Sequence, residues 1–228
     1  MTPTRKYESS DVSAEKNYVR NTIQRSRESI KEKILVSRVW KIYFSLFKNS
    51  TFALNDINYS VKKGECFGLI GLNSSGKTTQ FKVITCQDYA TKGNIFVDGH
   101  YAHFNATRYA YSLGYCPQSY GLDYFRSGES NMKMLLRLRG HSNRKAQDVT
   151  KAWFNIIGLK RHAKKAVWSY SMGMRRRLAI GCALCSGTPV KLLDEPTAGI
   201  DVAAKHRVWA EIKRRLSHGD TVVLSSHK

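Results

Sequence analysis

The chain contains the segment Gly71-Leu72-Asn73-Ser74-Ser75-Gly76-Lys77-Thr78-Thr79. Its spacing is G-x-x-x-x-G-K-[ST], the Walker A motif or P-loop. The mostly apolar residues 65–70 before it are typical of a buried parallel strand, and residues 80–84 after it suit the packed face of a helix. A glycine-rich turn between a strand and a helix N-terminus presents backbone N–H groups to phosphate. The sequence therefore predicts a phosphate-binding loop.

Two side chains of this segment have the chemistry that nucleotide phosphates need. Lys77 would reach the β- and γ-phosphates, and the Thr78 hydroxyl would bind Mg²⁺. The residues expected to bind nucleotide are Gly71, Asn73, Ser74, Ser75, Gly76, Lys77, Thr78 and Thr79. The alternative is a chance match in a Gly/Ser loop, and the flanking strand and helix argue against it.

The composition is that of a globular protein with a basic surface. The 228 residues are 42% hydrophobic and 24% charged, and the formal net charge is +21. This charge favours an anionic partner, either nucleic acid or an anionic membrane leaflet, although a solvated basic surface has the same composition. The chain has no apolar run of the roughly 18 residues that a membrane span needs, and its N-terminus lacks the apolar core of a signal peptide.

The cysteines form an odd, scattered set: Cys66, Cys86, Cys116, Cys182 and Cys185. The last two have C-x-x-C spacing, but no second ligand pair accompanies them and they lie in an apolar helical run. We interpret them as buried thiols rather than metal ligands. A reducing, cytosolic setting fits this set.

Strand and helix patterns alternate from residue 34 onward and predict an α/β fold with a mainly parallel sheet. Strands are expected at 34–40, 58–61, 65–70, 93–99, 113–118, 190–193 and 221–224. Helices are expected at 80–84, 129–139, 144–157, 178–184 and 202–216. The helices between the strands at 113–118 and 190–193 indicate a helical insert, at about 119–184. Residues 1–33 are polar and basic and suggest a linker or arm with a surface helix.

A second group of polar residues follows the ends of predicted strands. An apolar strand ends in Asp194-Glu195, the Walker B arrangement, in which Asp194 would hold Mg²⁺ through water and Glu195 would act as general base. Gln118 would join the Mg²⁺ and the water to the helical insert, and His227 has the place of a γ-phosphate sensor. Two carboxylates can also simply cap the next helix, and either of the other residues alone would be ordinary in a loop. Their order and spacing favour the site.

Together with Pro196-Thr197-Ala198-Gly199-Ile200-Asp201, these motifs resemble the nucleotide-binding domain of an ATP-binding-cassette (ABC) transporter. The resemblance covers residues 34–228, and segments 64–69, 114–118 and 137–140 are similar to the lipid-moving A subfamily, most of all to its second cassette. It implies a P-loop NTPase fold of ABC type, with a mainly parallel core, an N-terminal antiparallel β part and a helical insert. Residues 1–33 would be the linker, and the cassette would be truncated at its C-terminal end.

The resemblance also assigns roles to single residues. Tyr43 falls where an aromatic ring stacks on adenine, with Phe44 and Phe47 as rivals by spacing. Asp201 matches the aspartate of a loop that contacts the partner cassette. Residues 170–174 match the signature motif, which closes over the ATP held by the other cassette, with Ser171 and Gly173 as phosphate ligands at a helix N-terminus.

Three departures from the family pattern are visible. Met172 replaces a signature glycine, so we expect its side chain to block close approach to phosphate or to force a change of φ and ψ, weakening the site on the partner's Walker A. Ser74 replaces a usual glycine in the P-loop, where we expect binding to survive. The chain ends one residue after His227, so we expect a piece of a longer protein.

The implied function is an ATPase that uses ATP and Mg²⁺ and drives transport, with Lys77, Gln118, Glu195 and His227 in catalysis and Thr78, Gln118 and Asp194 at the metal. The implied partners are a second cassette in a head-to-tail dimer, a transmembrane domain and a transported lipid. The implied location is the cytoplasmic face of a membrane, within a multi-pass protein. One alternative is a soluble ABC ATPase acting on nucleic acid, which only the net charge favours. Another is a regulatory nucleotide-binding module of low turnover.

Overall fold

The computed structural model describes residues 10–24, 32–44, 50–101 and 106–227. The chain forms two compact units. The first, the antiparallel unit, comprises residues 1–63 and 74–110. The second, the parallel unit, comprises residues 64–73 and 111–228.

The helices and strands of the described residues follow the alternation that the sequence predicts. Their bounds are α1 Ser10–Gln24, β1 Ile34–Tyr43, β2 Thr51–Val61, β3 Cys66–Ile70, α2 Lys77–Ile84, β4 Lys92–Val97, β5 His100–Tyr101, α3 Ala106–Tyr111, β6 Leu113–Cys116, α4 Gly128–Leu138, α5 Asn143–Ile156, α6 Met172–Cys185, β7 Val190–Leu193, α7 Val202–Ser217 and β8 Thr221–Ser226. The short elements β5 and α3 were not predicted. None of the helices in the described ranges is long and apolar enough to cross a membrane.

The antiparallel unit is built on a sheet with strand order β2-β1-β4-β5. The central strand β1 pairs antiparallel with both β2 and β4. Its first six residues include the buried Ile34, Leu35, Val36 and Val39, the β-branched and aliphatic residues that suit a sheet interior. The predicted N-terminal antiparallel β part is therefore confirmed.

Helix α1 packs on this sheet. Val19 is fully buried in a cluster with Leu35 and Phe96. The Glu15 carboxylate accepts hydrogen bonds of 2.9 Å from the N–H and the hydroxyl of Ser60. The predicted surface helix in the arm is thus present, whereas the domain boundary at residue 33 remains a prediction. The basic residues Arg25, Arg27 and Lys31 of the arm lie outside the described residues.

The parallel unit contains the sheet β3-β8-β7-β6, in which all three pairings are parallel. Helices α4, α5 and α6 follow β6 and share one hydrophobic core, to which Met132, Trp153 and Leu178 contribute fully or almost fully buried side chains. Cys182 and Cys185 are free and buried in this core, which confirms the interpretation as buried thiols. Strand β7 is buried along its whole length because it lies between β6 and β8.

One residue of β7 is charged. The Lys191 ammonium is completely buried and donates hydrogen bonds to the hydroxyls of Thr188 (2.9 Å) and Ser186 (3.2 Å). The opposite residue on β6 is Gly114, and a Cβ atom built there would lie 2.6 Å from the Ala183 carbonyl oxygen and from the Ser186 hydroxyl. Glycine is therefore required at this position, because the end of α6 approaches the strand too closely for any side chain.

Candidate active site

The P-loop leads into α2 as the motif predicts. Gly76 is the N-cap of α2, with φ of 91°. A Cβ atom on Gly76 would lie 2.6 Å from the Ala53 carbonyl oxygen, so the tight turn before Lys77 requires glycine. Buried Phe81 and Ile84 anchor the helix in the antiparallel unit. Residues 71–73, which follow β3, belong to the parallel unit.

Ser74 adopts a left-handed conformation, with φ of 65°. Glycine adopts this conformation without strain, whereas an L-residue does so at a cost of about 1–2 kcal/mol. The usual glycine at this place in the family therefore has a conformational reason. The survival of nucleotide binding with serine remains a prediction.

The predicted Walker B residues lie at the C-terminal edge of the parallel sheet. Asp194 is fully buried, and its Oδ1 accepts a 2.6 Å hydrogen bond from the Ser225 hydroxyl on the neighbouring strand β8. The same hydroxyl accepts a 2.8 Å hydrogen bond from the backbone N–H of Glu195. Ser225, which sequence reasoning missed, thus holds both residues of the motif in place.

Glu195 and His227 come together at this edge. Glu195 has φ of 51°, a strained conformation for a residue other than glycine, and such strain is concentrated at functional sites. Its carboxylate oxygen Oε1 lies within hydrogen-bonding distance of Nε2 of His227. The chain therefore places a candidate general base beside the predicted γ-phosphate sensor, although the two residues are far apart in sequence.

Gln118 lies at the surface of the parallel unit, and its backbone carbonyl accepts a 3.0 Å hydrogen bond from Arg176. Arg176 also donates to the carbonyl oxygens of Pro117 (3.0 Å) and Asp194 (3.3 Å). Only 3% of this arginine is exposed, so one guanidinium on α6 ties the Gln118 loop to the Walker B motif.

Sequence reasoning missed Arg176. A signal was present, because Arg175-Arg176-Arg177 directly follows the signature motif and successive helical residues point about 100° apart. The side chains of three consecutive arginines therefore point in directions that span about 200° around the helix. The apolar residues Ala179 and Ile180, three and four positions later, mark the buried face.

The side chains present fit the donor chemistry of Mg²⁺ bound with a nucleotide. Mg²⁺ is usually held by one or two carboxylates together with substrate phosphates and water, rather than by a protein cage. The described residues contain no cluster of three or more His, Cys, Asp or Glu side chains that could form such a cage. Taken separately, each unit has one suitable oxygen donor: the parallel unit has the buried Asp194 carboxylate, and the antiparallel unit has the Thr78 hydroxyl.

Tyr43 is the last residue of β1, and its hydroxyl donates a 2.9 Å hydrogen bond to Oδ2 of Asp88. The side chain of Thr79, in the first turn of α2, lies near this hydroxyl and opposes the rise of the Tyr43 pKa. Its rival Phe44 is 77% exposed, and the other rival, Phe47, lies outside the described residues. These contacts link Tyr43 to the helix that follows the P-loop.

The signature residues form the N-terminus of α6. Ser171 is the N-cap, and its hydroxyl accepts a 3.3 Å hydrogen bond from the N–H of Met174. Met172 is the first helical residue, 63% exposed, and it is absent from the described residues with positive φ. The backbone therefore needs no glycine conformation here, so the expected φ/ψ change is not required. The remaining effect of Met172 is its exposed side chain, whose sulfur lies beside Gly199.

Asp201 is the N-cap of α7, where its carboxylate accepts a 2.8 Å hydrogen bond from the N–H of Ala204. This bond is the main reason that the pKa of Asp201 lies below its usual value. A structural role for Asp201 is thus visible. Its contact with a partner cassette, like the roles of Ser171 and Gly173 toward that partner's ATP, remains a prediction.

Solved structures identify the fold as that of an ATP-binding cassette. The dimeric structure of MJ0796, a bacterial ABC transporter cassette, matches with a TM-score of 0.79 and 24% identity over 86% of this chain and 88% of that chain. A structure of the same cassette in a post-hydrolysis state, dimeric and bound to ADP and Pi, matches with a TM-score of 0.80 over the same shares. The predicted P-loop fold of ABC type is confirmed.

The sequence pattern of the ABC transporter family matches residues 54–198, and the chain belongs to this family. The phospholipid-transporting ATPase ABCA3 of Homo sapiens is 34% identical over 194 residues, which are 85% of this chain and 11% of that protein. The retinal-specific phospholipid-transporting ATPase ABCA4 of Bos taurus is 36% identical over 178 residues, 78% of this chain and 8% of that protein.

These relatives have consequences for two predictions. The chain spans only 11% and 8% of their lengths. Their names confirm the predicted similarity to the A subfamily. The closer likeness to a second cassette remains a prediction.

Proposed function

We propose that this chain is the ATP-binding and ATP-hydrolysing cassette of a transporter that moves lipids. The observation that carries the proposal is the arrangement at the edge of the parallel sheet. There the Ser225 hydroxyl is hydrogen-bonded to Asp194 and to the backbone of Glu195, and the Glu195 carboxylate lies beside Nε2 of His227. The names of the phospholipid-transporting relatives support lipid as the transported substrate.

The residues of the site have distinct roles in this proposal, and Gln118 joins the metal and the attacking water to the helical insert. Lys77 and the loop at 71–76 bind the phosphates, and Thr78 and Asp194 provide metal ligands. Glu195 accepts a proton from the attacking water, and His227 holds Glu195 and contacts the terminal phosphate. Mg²⁺, when bound with ATP, neutralises charge on the β- and γ-phosphates. Tyr43 stacks on the adenine.

The proposal extends to partners and location. ATP would bring this cassette head-to-tail with a second, different cassette that has an intact signature, and the opening of that dimer would drive a transmembrane domain of the same or a larger protein. The dimeric state of the matching bacterial cassette supports such a partner. The cassette would lie on the cytoplasmic face of the membrane that contains the transporter.

The substitution Glu195→Gln tests the ATPase. It keeps the size of the side chain and removes the base, so we expect Mg-ATP binding to persist and hydrolysis to fall by about 10²–10⁴-fold, the usual contribution of a general base. The control is Glu129→Gln on α4, which breaks only an ion pair of 3.7 Å with Lys133. Turnover equal to that of the native chain in the Glu195 variant would overturn the assignment of the base.

The net charge of +21 keeps a second candidate function in view, an ABC ATPase that acts on nucleic acid. Binding experiments with single-stranded and double-stranded DNA and with anionic phospholipid vesicles, each over a range of salt concentrations, separate the two. Affinity for nucleic acid that exceeds that for vesicles and falls steeply with salt would favour this candidate. We expect no such preference.

A further inference from the structure

The ring of Tyr43 is held by a network of two charged side chains in the antiparallel unit. Lys41, two residues earlier on β1, forms an ion pair with Oδ1 of Asp88. The other carboxylate oxygen, Oδ2, accepts the 2.9 Å hydrogen bond from the Tyr43 hydroxyl. Asp88 therefore fixes both the lysine and the tyrosine.

Lys41 also acts on the face of the ring. Its ammonium lies 4.8 Å from the centroid of the Tyr43 ring, a distance at which a cation is attracted to the aromatic face. It donates a further hydrogen bond of 2.8 Å to the carbonyl oxygen of Tyr89. One face of the ring is thus covered by a fixed cation. Tyr43 as a whole is 39% exposed, which leaves part of its surface open.

The backbone keeps Asp88 beside β1. The N–H of Asp88 donates a hydrogen bond of 3.2 Å to the carbonyl oxygen of Lys82, near the end of α2. Thr91 forms two hydrogen bonds with β1. Its N–H donates a hydrogen bond of 2.8 Å to the carbonyl oxygen of Trp40, and its hydroxyl accepts one of 3.0 Å from the N–H of Ile42. The loop after α2 is therefore attached to the strand that carries Tyr43.

The protonation states suit this network. The ion pair with Lys41 is the main reason that the pKa of Asp88 lies below its usual value, so the carboxylate is ionised at neutral pH. Burial, and then the hydrogen bond to Asp88, raise the pKa of Tyr43, so its hydroxyl keeps the proton that it donates.

We propose that Lys41 and Asp88 are positioning residues for Tyr43, which hold its ring beside α2 with the face opposite Lys41 free to stack on the adenine of ATP. This inference rests on the proposed function, in which Tyr43 contacts the base. A ring held in one orientation before binding loses less conformational entropy when the base stacks on it. The network therefore adds affinity for the base, and none for the phosphates.

The test compares two probes by calorimetry in a Glu195→Gln background, which removes turnover. Mg-ATP has a base, whereas magnesium tripolyphosphate has only phosphates. Tyr43→Ala is expected to weaken ATP binding about tenfold, as for other aromatic residues that stack on bases. Lys41→Met and Asp88→Ala are each expected to weaken it about threefold or more, since stacking is partly lost. Tripolyphosphate affinity is expected to stay unchanged in all of them.

Further variants separate positioning from general damage. The double variant Tyr43→Ala/Lys41→Met should bind ATP as weakly as Tyr43→Ala alone, because the lysine acts through the ring. Lys41→Arg should restore ATP affinity, because arginine keeps both the ion pair and the cation over the ring. Lys16→Met is the matched control, since it breaks an ion pair of 2.8 Å with Asp56 elsewhere in the same unit. Lys16→Met should change neither the affinity for Mg-ATP nor the affinity for magnesium tripolyphosphate.

Each other outcome decides against a specific claim. If Tyr43→Ala weakens ATP binding and Lys41→Met does not, the positioning role is wrong and the proposed function stands. A fall in tripolyphosphate affinity in Lys41→Met would show that the lysine supports the fold of the unit rather than the ring. If the native chain binds neither probe, the proposed function fails, and this inference fails with it.

Discussion

Lys191 shows how a single buried charge shapes the properties of this chain. Its ammonium is bonded to two hydroxyls, and the nearest carboxylate oxygen, on Asp220, is 3.9 Å away. Burial therefore outweighs the favourable charge and lowers the pKa of Lys191 to about 7. In the unfolded chain the pKa returns to the ordinary value of 10.5. The folded and unfolded states thus bind different numbers of protons between these two values.

This difference predicts how stability depends on pH. Between about pH 7 and 10 the unfolded chain binds a proton at Lys191 that the folded chain lacks, so the free energy of unfolding rises with pH. Below pH 7 Lys191 is charged in both the folded and the unfolded chain, so the full cost of burying its charge lowers the free energy of unfolding. Relative to a Lys191→Met variant, the native chain should gain stability over this range with a slope of up to about 1.4 kcal/mol per pH unit, the value for one proton.

Urea unfolding at a series of pH values measures this slope. The matched control is Lys213→Met, which removes an exposed lysine on α7. The difference between that variant and the native chain should not change with pH. A constant difference between Lys191→Met and the native chain would contradict the buried-charge account.

At the scale of single elements, α6 connects three parts of the site. Its N-cap is the signature residue Ser171, and in the second turn Arg176 donates hydrogen bonds to the carbonyl oxygens of Gln118 and of Asp194. An arginine suits this task because its planar guanidinium has five N–H donors in a fixed geometry. The position of the helix and the position of the catalytic loops are therefore linked.

Replacing Arg176 with methionine should destabilise the parallel unit. The change leaves the carbonyl oxygens of Pro117, Gln118 and Asp194 without this donor, and unsatisfied buried polar groups cost about 1–3 kcal/mol each. We expect a loss of about 2–4 kcal/mol in urea unfolding, part of the sum being recovered by relaxation. Arg175→Met, which removes hydrogen bonds to Val167 and Trp168 nearer the surface, should cost less. If both variants lost the same free energy of unfolding, Arg176 would contribute no more to stability than Arg175 does.

Local patterns in the sequence predicted most of the elements and the two phosphate-site motifs. Residues 71–79 contain their own strand, turn and helix signals, and Asp194-Glu195 directly follows an apolar strand. The supporting contacts could not be predicted in this way. Ser225 bonds Asp194 across 31 positions of sequence, and Asp88 bonds Tyr43 across 45. Such pairs depend on how strands are ordered in the sheet, which periodicity alone does not determine.

At the scale of the whole molecule, each unit contains some of the residues that the motifs predict. The antiparallel unit contains Tyr43 and residues 74–79 of the P-loop, and the parallel unit contains the remaining site residues. Met172 affects the formation of a dimer, because in the proposed dimer the signature of one cassette faces the nucleotide of the other. Its exposed side chain at the start of α6 occupies space that a glycine would leave open to phosphate.

Light scattering tests this effect in the Glu195→Gln background. With Met172 present, we expect the mass to remain that of one chain when Mg-ATP is added, because the thioether side chain keeps phosphate from the helix N-terminus. With Met172→Gly in addition, we expect Mg-ATP to double the mass. Met134→Gly on α4, another exposed methionine, controls for the change in composition. Doubling with Met172 still present would end the hypothesis of a weakened signature.

The close approach of α6 to Gly114 has a consequence for inherited variation. Every missense change of a glycine codon introduces at least a Cβ atom, and at position 114 that atom would meet the backbone of Ala183. We therefore expect no such allele to be neutral, although none of the motifs assigns residue 114 a role in binding or catalysis. We expect such a variant to lower the amount of the protein rather than the turnover of each molecule, because an unstable chain is degraded before it can function.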